Sequence, residues 1–313
     1  MKKNYHNHTN ASDGSMCLEI LASVLSIFGF TEIAITDHDV LGLDLRKFRH
    51  RAIKQFFHYM GMEIIPGIEL SCKFPLGGNQ EKEFHIVGLG IYHVNDLLME
   101  AMKFLREGRE KRAKEIVNRI LEAGYEVDCK RIGKNKNITL LNIAENVYKN
   151  DGSRGGVEFL EKYLISGKKF YYPKELLGVK RAIEIINSLE GIASWAHPFT
   201  TLGKRKCEIE RVFEQFLNFG MEAVEVYTRK QTIEGVEILE GLCERHSYRL
   251  ECFAGSDTHT LLDIFLYVER LLELFREMEK KNKVQNGSEQ FVPYFCYSDL
   301  TYELKSVIIF VDN

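Results

Sequence analysis

Apolar residues recur along this chain in two registers, short β-rich runs and longer stretches at helical spacing, and their alternation sets the expected fold. A short strand from about Lys3 to His8 opens it. Ser15 to Phe28 then carries apolar residues at helical spacing and stops at Gly29, a common residue just past a helix end. Glu32 to Thr36 reads as a buried strand that delivers Thr36-Asp37-His38-Asp39, and a second helical stretch follows from about Leu43 to Tyr59. Met62 to Ile65 is a strand closed by Pro66-Gly67, with Glu69 just beyond, and Phe84 to Tyr92 is a β-rich run containing His85.

Between about Asn95 and Tyr172 strand signals become scarce. Asp96 to Ala123 is expected to be one long helix, ended by Gly124 and carrying Lys103, Arg106, Arg109, Lys111, Arg112, Lys114 and Arg119. Shorter helical pieces follow near Leu140 to Lys149 and Gly156 to Ile165, before the polar loop Ser166 to Lys169. Strands then return in the earlier rhythm. Pro173 to Glu190, with Pro near its start and Gly191 at its end, is expected to be a helix. Ile192 to Ala196 is a strand ending in His197-Pro198, Lys206 to Phe219 a helix, Glu222 to Tyr227 a strand and Ile233 to His246 a helix. Leu250 to Ala254 completes the series and runs into Gly255-Ser256-Asp257-Thr258-His259. A helix over Leu261 to Lys281, a loop over Asn282 to Glu289 and a terminal strand over Lys305 to Val311 finish the chain.

About seven strands before the terminal one, with helical segments in all but one interval, predict an α/β fold built on a mainly parallel sheet or barrel. An irregular (β/α) barrel is the preferred form. Residues 1–95 would give its first part, 96–172 a small helical insertion, and 173–313 its second part with a C-terminal extension.

Composition narrows the function classes. At 313 residues and 45% hydrophobic content the chain can bury a full core. A net charge of −3 gives no overall field to carpet an extended nucleic-acid duplex, so a polyanion must be held by a local patch. Seven cysteines, an odd number without a CxxC pair, fit reduced thiols in a cytosol. There is no basic leader before an apolar run and no stretch near the length of a membrane span, so a cytoplasmic protein without a membrane partner is expected.

Barrels of this kind put reactive groups at the C-terminal ends of their strands. His38, Glu69, His197, Asp257 and His259 all lie at or just after a predicted strand; His85, near the start of its run, is the exception. His6 and His8 share a face of the opening strand because side chains repeat with period two, and Asp13 follows in a turn-rich stretch. Six of the ten histidines thus sit in these segments with Asp13, Glu69 and Asp257. Two readings compete: polar groups satisfied at a barrel mouth, or a metal centre. Neutral imidazole and carboxylate suit zinc, manganese or iron. Nine donors exceed what one tetrahedral ion needs, whereas two or three ions sharing a carboxylate would use them all, with Glu69 as the natural bridge. Clustered divalent ions lower the pKa of bound water and clamp the oxygens of a transferring phosphoryl group.

Asp37 and Asp39 flank His38 and either orient neighbouring ligands or cap a helix. Arg109 and Arg112, three apart, share a helix face and suit a bidentate grip on phosphate, or else belong to a solvated charged face with Glu107, Glu110 and Glu115. His50, His58, His93 and His246 have no partners in the pattern and read as surface or core histidines.

Taken in order, the runs His6-x-His8-Thr9-x-x-Ser12-Asp13-Gly14, Thr36-Asp37-His38-Asp39, Pro66-Gly67-x-Glu69, His85-Ile86-Val87-Gly88-Leu89, Ala196-His197-Pro198 and Ser256-Asp257-x-His259 resemble the successive motifs of the PHP (polymerase and histidinol phosphatase) superfamily. The insertion is similar to that of a subgroup of stand-alone nucleotide phosphoesterases and 5′-to-3′ RNA exonucleases. The resemblance implies a distorted seven-stranded barrel with three metal positions. His6, His8, Glu69 and Asp257 would hold the first ion, Glu69, His85 and His197 the second, and Asp13, His38 and His259 the third, and these nine would be the catalytic set. A hydroxide between two ions would attack phosphorus in line. Gly108-Arg109-Glu110-x-Arg112-Ala113 resembles the subgroup's substrate-phosphate helix, and Lys162-Tyr163-Leu164-x-x-Gly167-Lys168 resembles a further phosphate contact at Lys168.

One departure bears on the substrate. Where relatives carry Arg-x-His-x-Ala, this chain reads Leu140-Leu141-Asn142-Ile143-Ala144, so Leu140 cannot pair with phosphate and Asn142 offers a hydrogen bond without charge. The expectation is a phosphoesterase with two or three divalent ions (manganese, zinc or iron). It would act on a small nucleotide, such as a 3′,5′-bisphosphorylated nucleoside, or on the 5′ end of a short oligonucleotide, with Arg109, Arg112, Lys168 and Asn142 touching substrate. A phosphomonoesterase for a metabolite such as histidinol phosphate, and a metal-stabilised module without turnover, are the alternatives.

Overall fold

Seven strands curve into a nearly closed, barrel-shaped sheet in the computed structural model, which describes residues 2–43, 45, 61–77, 80–132, 138–148, 152–203, 205–246 and 251–285. In chain order, β1 (Lys2–Asn4), α1 (Leu18–Ile27), β2 (Phe30–Ile35), β3 (Glu63–Gly77) and β4 (Gln80–Leu89) precede the long helix α2 (Asp96–Glu122). A small lobe follows: β5 (Glu126–Val127), α3 (Cys129–Ile132), α4 (Leu140–Glu145), β6 (Val147–Tyr148) and α5 (Gly156–Phe159), which passes into a π-helical turn at Leu160–Leu164. The barrel resumes with β7 (Leu177–Gly178), α6 (Val179–Asn187), β8 (Ile192–Trp195), α7 (Pro198–Leu202), α8 (Lys206–Asn218), β9 (Ala223–Thr228), α9 (Ile233–Arg245), β10 (Glu251–Gly255) and α10 (Leu261–Gln285). The expected helix over 43–59, with His50 and His58, falls almost wholly outside the described residues, as does the terminal strand over 305–311. α10 runs past its expected end at Lys281, so the predicted loop from Asn282 begins as helix.

The sheet order is β1-β2-β3-β4-β8-β9-β10, with β7 added to β3. Backbone hydrogen bonds from Tyr5 N to Ala254 O (2.9 Å) and from His8 N to Thr258 O (2.9 Å) bring the two ends of the sheet together. All barrel pairings are parallel except those of β4, which runs antiparallel to both β3 and β8. The sheet is thus mainly parallel, as expected, and its one reversed strand accounts for His85. The interval between β3 and β4 is the one that lacked a helical pattern, and a hairpin there reverses the chain. The first half of β4 therefore lies beside the C-terminal half of β3, with His85 opposite Ser71 in register.

A second difference concerns the helix expected from Pro173. It begins only at Val179, because Leu177 and Gly178 pair with Cys72 and Lys73 as β7. From there Val179, Ala182, Ile183 and Ile186 form a buried stripe at helical spacing that packs on the outside of the barrel against Trp195 and Phe216. Burying each of the larger side chains contributes about 1.5–3 kcal/mol. A separate layer joins α1 and α10 to β2 through Leu21, Leu25, Phe30 and Tyr267.

α2 serves two cores. Asn95 caps its start by accepting Leu98 N at 3.0 Å and ties it to Ser188, next to the beginning of β8. Leu98, Ala101 and Leu105 join the barrel's cluster, while Ala113, Ile116 and Ile120 join a distinct cluster with Ile143, Phe159 and Phe170. Gly108 sits at the changeover, where a Cβ would press on Glu175 at 3.2 Å. No helix among the described residues is long and apolar enough to cross a membrane.

Candidate metal centre

The nine candidate ligands meet at one end of the barrel. His6 and His8 follow β1, are fully buried, and bring their Nε2 atoms within 3.0 Å of each other. Asp13 is delivered by a loop that Asp37 holds in place: one Asp37 oxygen accepts Thr9 N (2.8 Å) and Ser12 Oγ (2.5 Å), the other Thr9 Oγ1 (2.8 Å). Of the two roles open to Asp37, orienting a neighbouring ligand is the one seen.

Glu69 is the hub. Its Oε2 lies 2.9 Å from His38 Nδ1, 3.1 Å from His6 Nε2 and 3.3 Å from His8 Nε2. Its Oε1 lies 2.9 Å from His85 Nδ1 and 3.3 Å from His197 Nε2. Asp257 Oδ1 is 3.3 Å from His8 Nε2, and Asp13 Oδ1 is 3.3 Å from His259 Nε2. Among the described residues, three groups have potential ligand atoms within 4.8 Å of one another: His6, His8, Glu69 and Asp257; His8, Asp13, His38 and His259; and His38, Glu69 and His85. The first matches the implied set. In the other two, His8 joins the Asp13 group, and His38 stands where His197 was implied, although His197 remains beside Glu69.

These donor atoms suit cations better than one another. His8 Nδ1, Asp13 Oδ1, Glu69 Oε2 and His85 Nδ1 are buried and lack a hydrogen-bond partner among the described residues, even where an opposing atom is about 3 Å away. Buried polar atoms of a native protein are rarely left so, and cations seated among them would satisfy them. The site also stores backbone strain: Asp39 (φ 56°), His197 (φ 32°) and Asp257 (φ 53°) adopt the left-handed region at the mouth.

Electrostatics follow from burial and crowding. Burial alone would raise the Glu69 carboxyl, but His38, His6 and His85 hold it well below its usual range. Burial drives His38 down to about 4, only partly offset by Glu69. Burial opposes protonation of His85, yet Glu69 raises it to about 9.

The far side of several rings is fixed by a partner. Glu225 Oε1 accepts His6 Nδ1–H at 2.6 Å, and Glu225 Oε2 accepts the His197 backbone N–H at 2.8 Å. Glu83 Oε1 lies 3.2 Å from His85 Nε2, and the Asp257 carbonyl 3.0 Å from His259 Nδ1. Sequence reasoning passed over Glu225 and Glu83. Their signal was an acid on an apolar strand, in Val224-Glu225-Val226, and an acid two positions before a ligand, in Glu83-Phe84-His85.

The expected substrate contacts are placed differently. Arg109 is buried and donates from Nε to Asp39 Oδ2 at 2.7 Å, with Nη2 on the same carboxylate and on Ser71 Oγ (3.1 Å). The solvated-face alternative holds for Arg106 with Glu110 and Lys103 with Glu107, not for Arg109. Arg112 donates to Tyr172 O at 2.8 Å and stacks over Tyr171. Asn142 is drawn into a capping box, its side chain accepting Thr139 N at 3.1 Å, and Lys168 is exposed in a turn. Lys174, not singled out in the sequence, is buried against Glu83 and Ser71.

Comparison with known proteins adds an independent line. Residues 4–176 match the PHP domain. The chain is 28% identical over 257 residues to the 5′-3′ exoribonuclease Rnm of Escherichia coli, covering 81% of this chain and 84% of that one. It is 24% identical over 258 residues to the 3′,5′-nucleoside bisphosphate phosphatase of Chromobacterium violaceum, covering 81% and 86%. The solved structure of an amidohydrolase from Chromobacterium violaceum with bound sulfate superposes with a TM-score of 0.69 at 22% identity, covering 97% of each chain, a likeness of fold.

Proposed function

Because this chain belongs to the PHP domain family, we propose that it is a metal-dependent phosphoesterase acting on a nucleotide, such as a 3′,5′-bisphosphorylated nucleoside, or on the 5′ end of a short oligonucleotide. The observation that carries the reading is the set of buried, unsatisfied donor atoms converging on Glu69. In it, His6, His8, Glu69 and Asp257 would hold one ion; Glu69 and His85, with His38 or His197, a second; and Asp13, His38 and His259 a third, His8 standing close by. Manganese, zinc and iron all accept such mixed shells. When bound, divalent ions would lower the pKa of a coordinated water and neutralise charge on the phosphoryl oxygens.

The protein's own residues supply orientation. Glu225 leaves His6 Nε2 facing Glu69. Asp37 keeps Asp13 at the mouth, and Arg109 acts through Asp39 and Ser71 beside His38. We also read residues 96–172 as a cap on a barrel made from 1–95 and the chain from 173, with Lys168, exposed in a turn, as the cap cation open to a substrate phosphate. Nucleotide action draws support from the named relatives, both of which carry nucleic-acid or nucleotide activities in their names. A cytosolic setting fits the free thiols of the described cysteines.

Purified protein loaded with manganese, assayed on a panel of phosphate esters with metal analysis of the same sample, tests this. Release of phosphate or nucleotides from 3′,5′-bisphosphorylated nucleosides or 5′-phosphorylated oligonucleotides is the expected result. Turnover confined to esters such as histidinol phosphate overturns the substrate class, and full metal occupancy without turnover overturns the enzyme.

A further inference from the structure

Glu83 and His85 lie two apart on β4 and so share the face turned to the mouth. An ionised carboxylate can only accept, so the 3.2 Å contact between Glu83 Oε1 and His85 Nε2 places the imidazole proton on Nε2. The other nitrogen, Nδ1, faces Glu69 Oε1 at 2.9 Å and is the one left to offer a lone pair to a cation seated there. Glu83 is itself held: Lys174 Nζ stands 2.5 Å from the same Oε1, on a side chain only 8% exposed. Lys174 belongs to the segment that returns from the cap lobe just before β7.

Lys174 Nζ also donates to Ser71 Oγ at 3.1 Å, and that hydroxyl accepts Arg109 Nη2 at 3.1 Å while donating to Asp39 Oδ2 at 3.0 Å. One donor and two lone pairs are thereby all in use. The outgoing helix α2, through Arg109, and the returning segment, through Lys174, end on the same barrel hydroxyl. Each is answered by a barrel carboxylate next to a metal-centre histidine, Asp39 beside His38 and Glu83 beside His85.

We propose that Lys174 and Glu83 are positioning residues: Lys174 holds Glu83, Glu83 fixes the His85 tautomer that offers Nδ1 to a metal, and docking of the returning cap segment thus governs ion occupancy on the Glu69–His85 side. Without Lys174, the Glu83 side chain, 41% exposed, is free to turn to water and the imidazole loses its bias. The inference rests on the reading of this cluster as a metal centre and goes beyond it by tying one ion to one contact of the cap.

The test uses the full chain, equilibrated with graded free manganese or zinc and analysed for ions per protein, together with the melting temperature of the metal-free form. Lys174→Met and Glu83→Met should each weaken one ion by about 10–100-fold and leave the others in place. Lys174→Arg should restore it. The double variant Glu83→Lys/Lys174→Glu rebuilds the ion pair and its melting temperature but cannot accept from His85 Nε2, so the ion should stay weak. Wild-type occupancy in the double variant, or full affinity in both single variants, overturns the proposal by showing a merely structural pair. Wild-type protein that binds no ion overturns the metal-centre reading and this inference with it, a result distinct from either.

Discussion

The Glu225 carboxylate accepts His6 Nδ1–H at 2.6 Å, and this single contact decides which nitrogen of His6 faces the hub at Glu69. The same carboxylate holds the backbone of His197 through its other oxygen, so one acid braces two candidate ligands whose rings stack 5.7 Å apart. An amide in its place keeps one acceptor and turns an N–H toward a donor. Glu225→Gln should weaken metal binding by about 10–100-fold, read by calorimetry; unchanged affinity would remove Glu225 from the centre.

Gly14 makes a more local prediction. A Cβ there would sit 2.3 Å from the His8 carbonyl oxygen, a backbone atom with no rotamer to escape into. Gly14→Ala should displace the Asp13 loop and lower occupancy of the Asp13–His259 position while the barrel's circular dichroism persists. Equal loss at every ion would place the effect elsewhere.

Asp39 and Arg109 predict an acid limb of stability. Burial alone would raise the Asp39 carboxyl, but Arg109 and then Lys174 hold it below its ordinary value of 3.8. For an acid depressed in the folded state, the contribution is complete above that ordinary value and disappears as pH falls through the lower folded one. Asp39→Asn strands a buried guanidinium and should cost about 3–5 kcal/mol at neutral pH. The gap from wild type should narrow on acidification below about pH 4 in urea melts. A gap that stays constant with pH would assign the loss to packing.

Stripping the ions should also be visible in stability. A ligand that binds only the folded state at 100 times its dissociation constant adds about 2.7 kcal/mol. Chelation should lower the melting temperature by about 5 °C, restored by manganese or zinc. A melting temperature indifferent to both would count against bound ions.

Much of this was legible in the residue order, for a physical reason. In a barrel, reactive groups collect where strands end, and His38, His197, Asp257 and His259 each follow a hydrophobic run that reads as a strand; Glu69 does not, because the strand expected to close at Pro66-Gly67 runs on to Gly77 and carries Glu69 within it. What the pattern could not carry was anything set by a partner distant in sequence. The direction of β4 depends on a hairpin, and the pairing of Arg109 with Asp39 joins residues 70 positions apart. The same limit hid Glu225, whose two contacts lie on other strands and loops. Asn142 had a local signal, a Thr three residues earlier, and its use as a cap follows from it.

The reversal of β4 also fixes how the lobe is fastened. Because that strand finishes at the floor of the barrel, the chain must climb the whole wall again before it can build anything over the opening, and α2, with 27 residues, is a mast roughly 40 Å tall. Its lower turns are bedded in the wall and its upper turns carry the small lobe, with Arg109 bolted midway. Each residue added or removed below that bolt would swing it about 100° around the mast and lift it about 1.5 Å. The length of the lower half is thus a gauge, and Arg109 keeps its alignment with Asp39 only while that gauge is held.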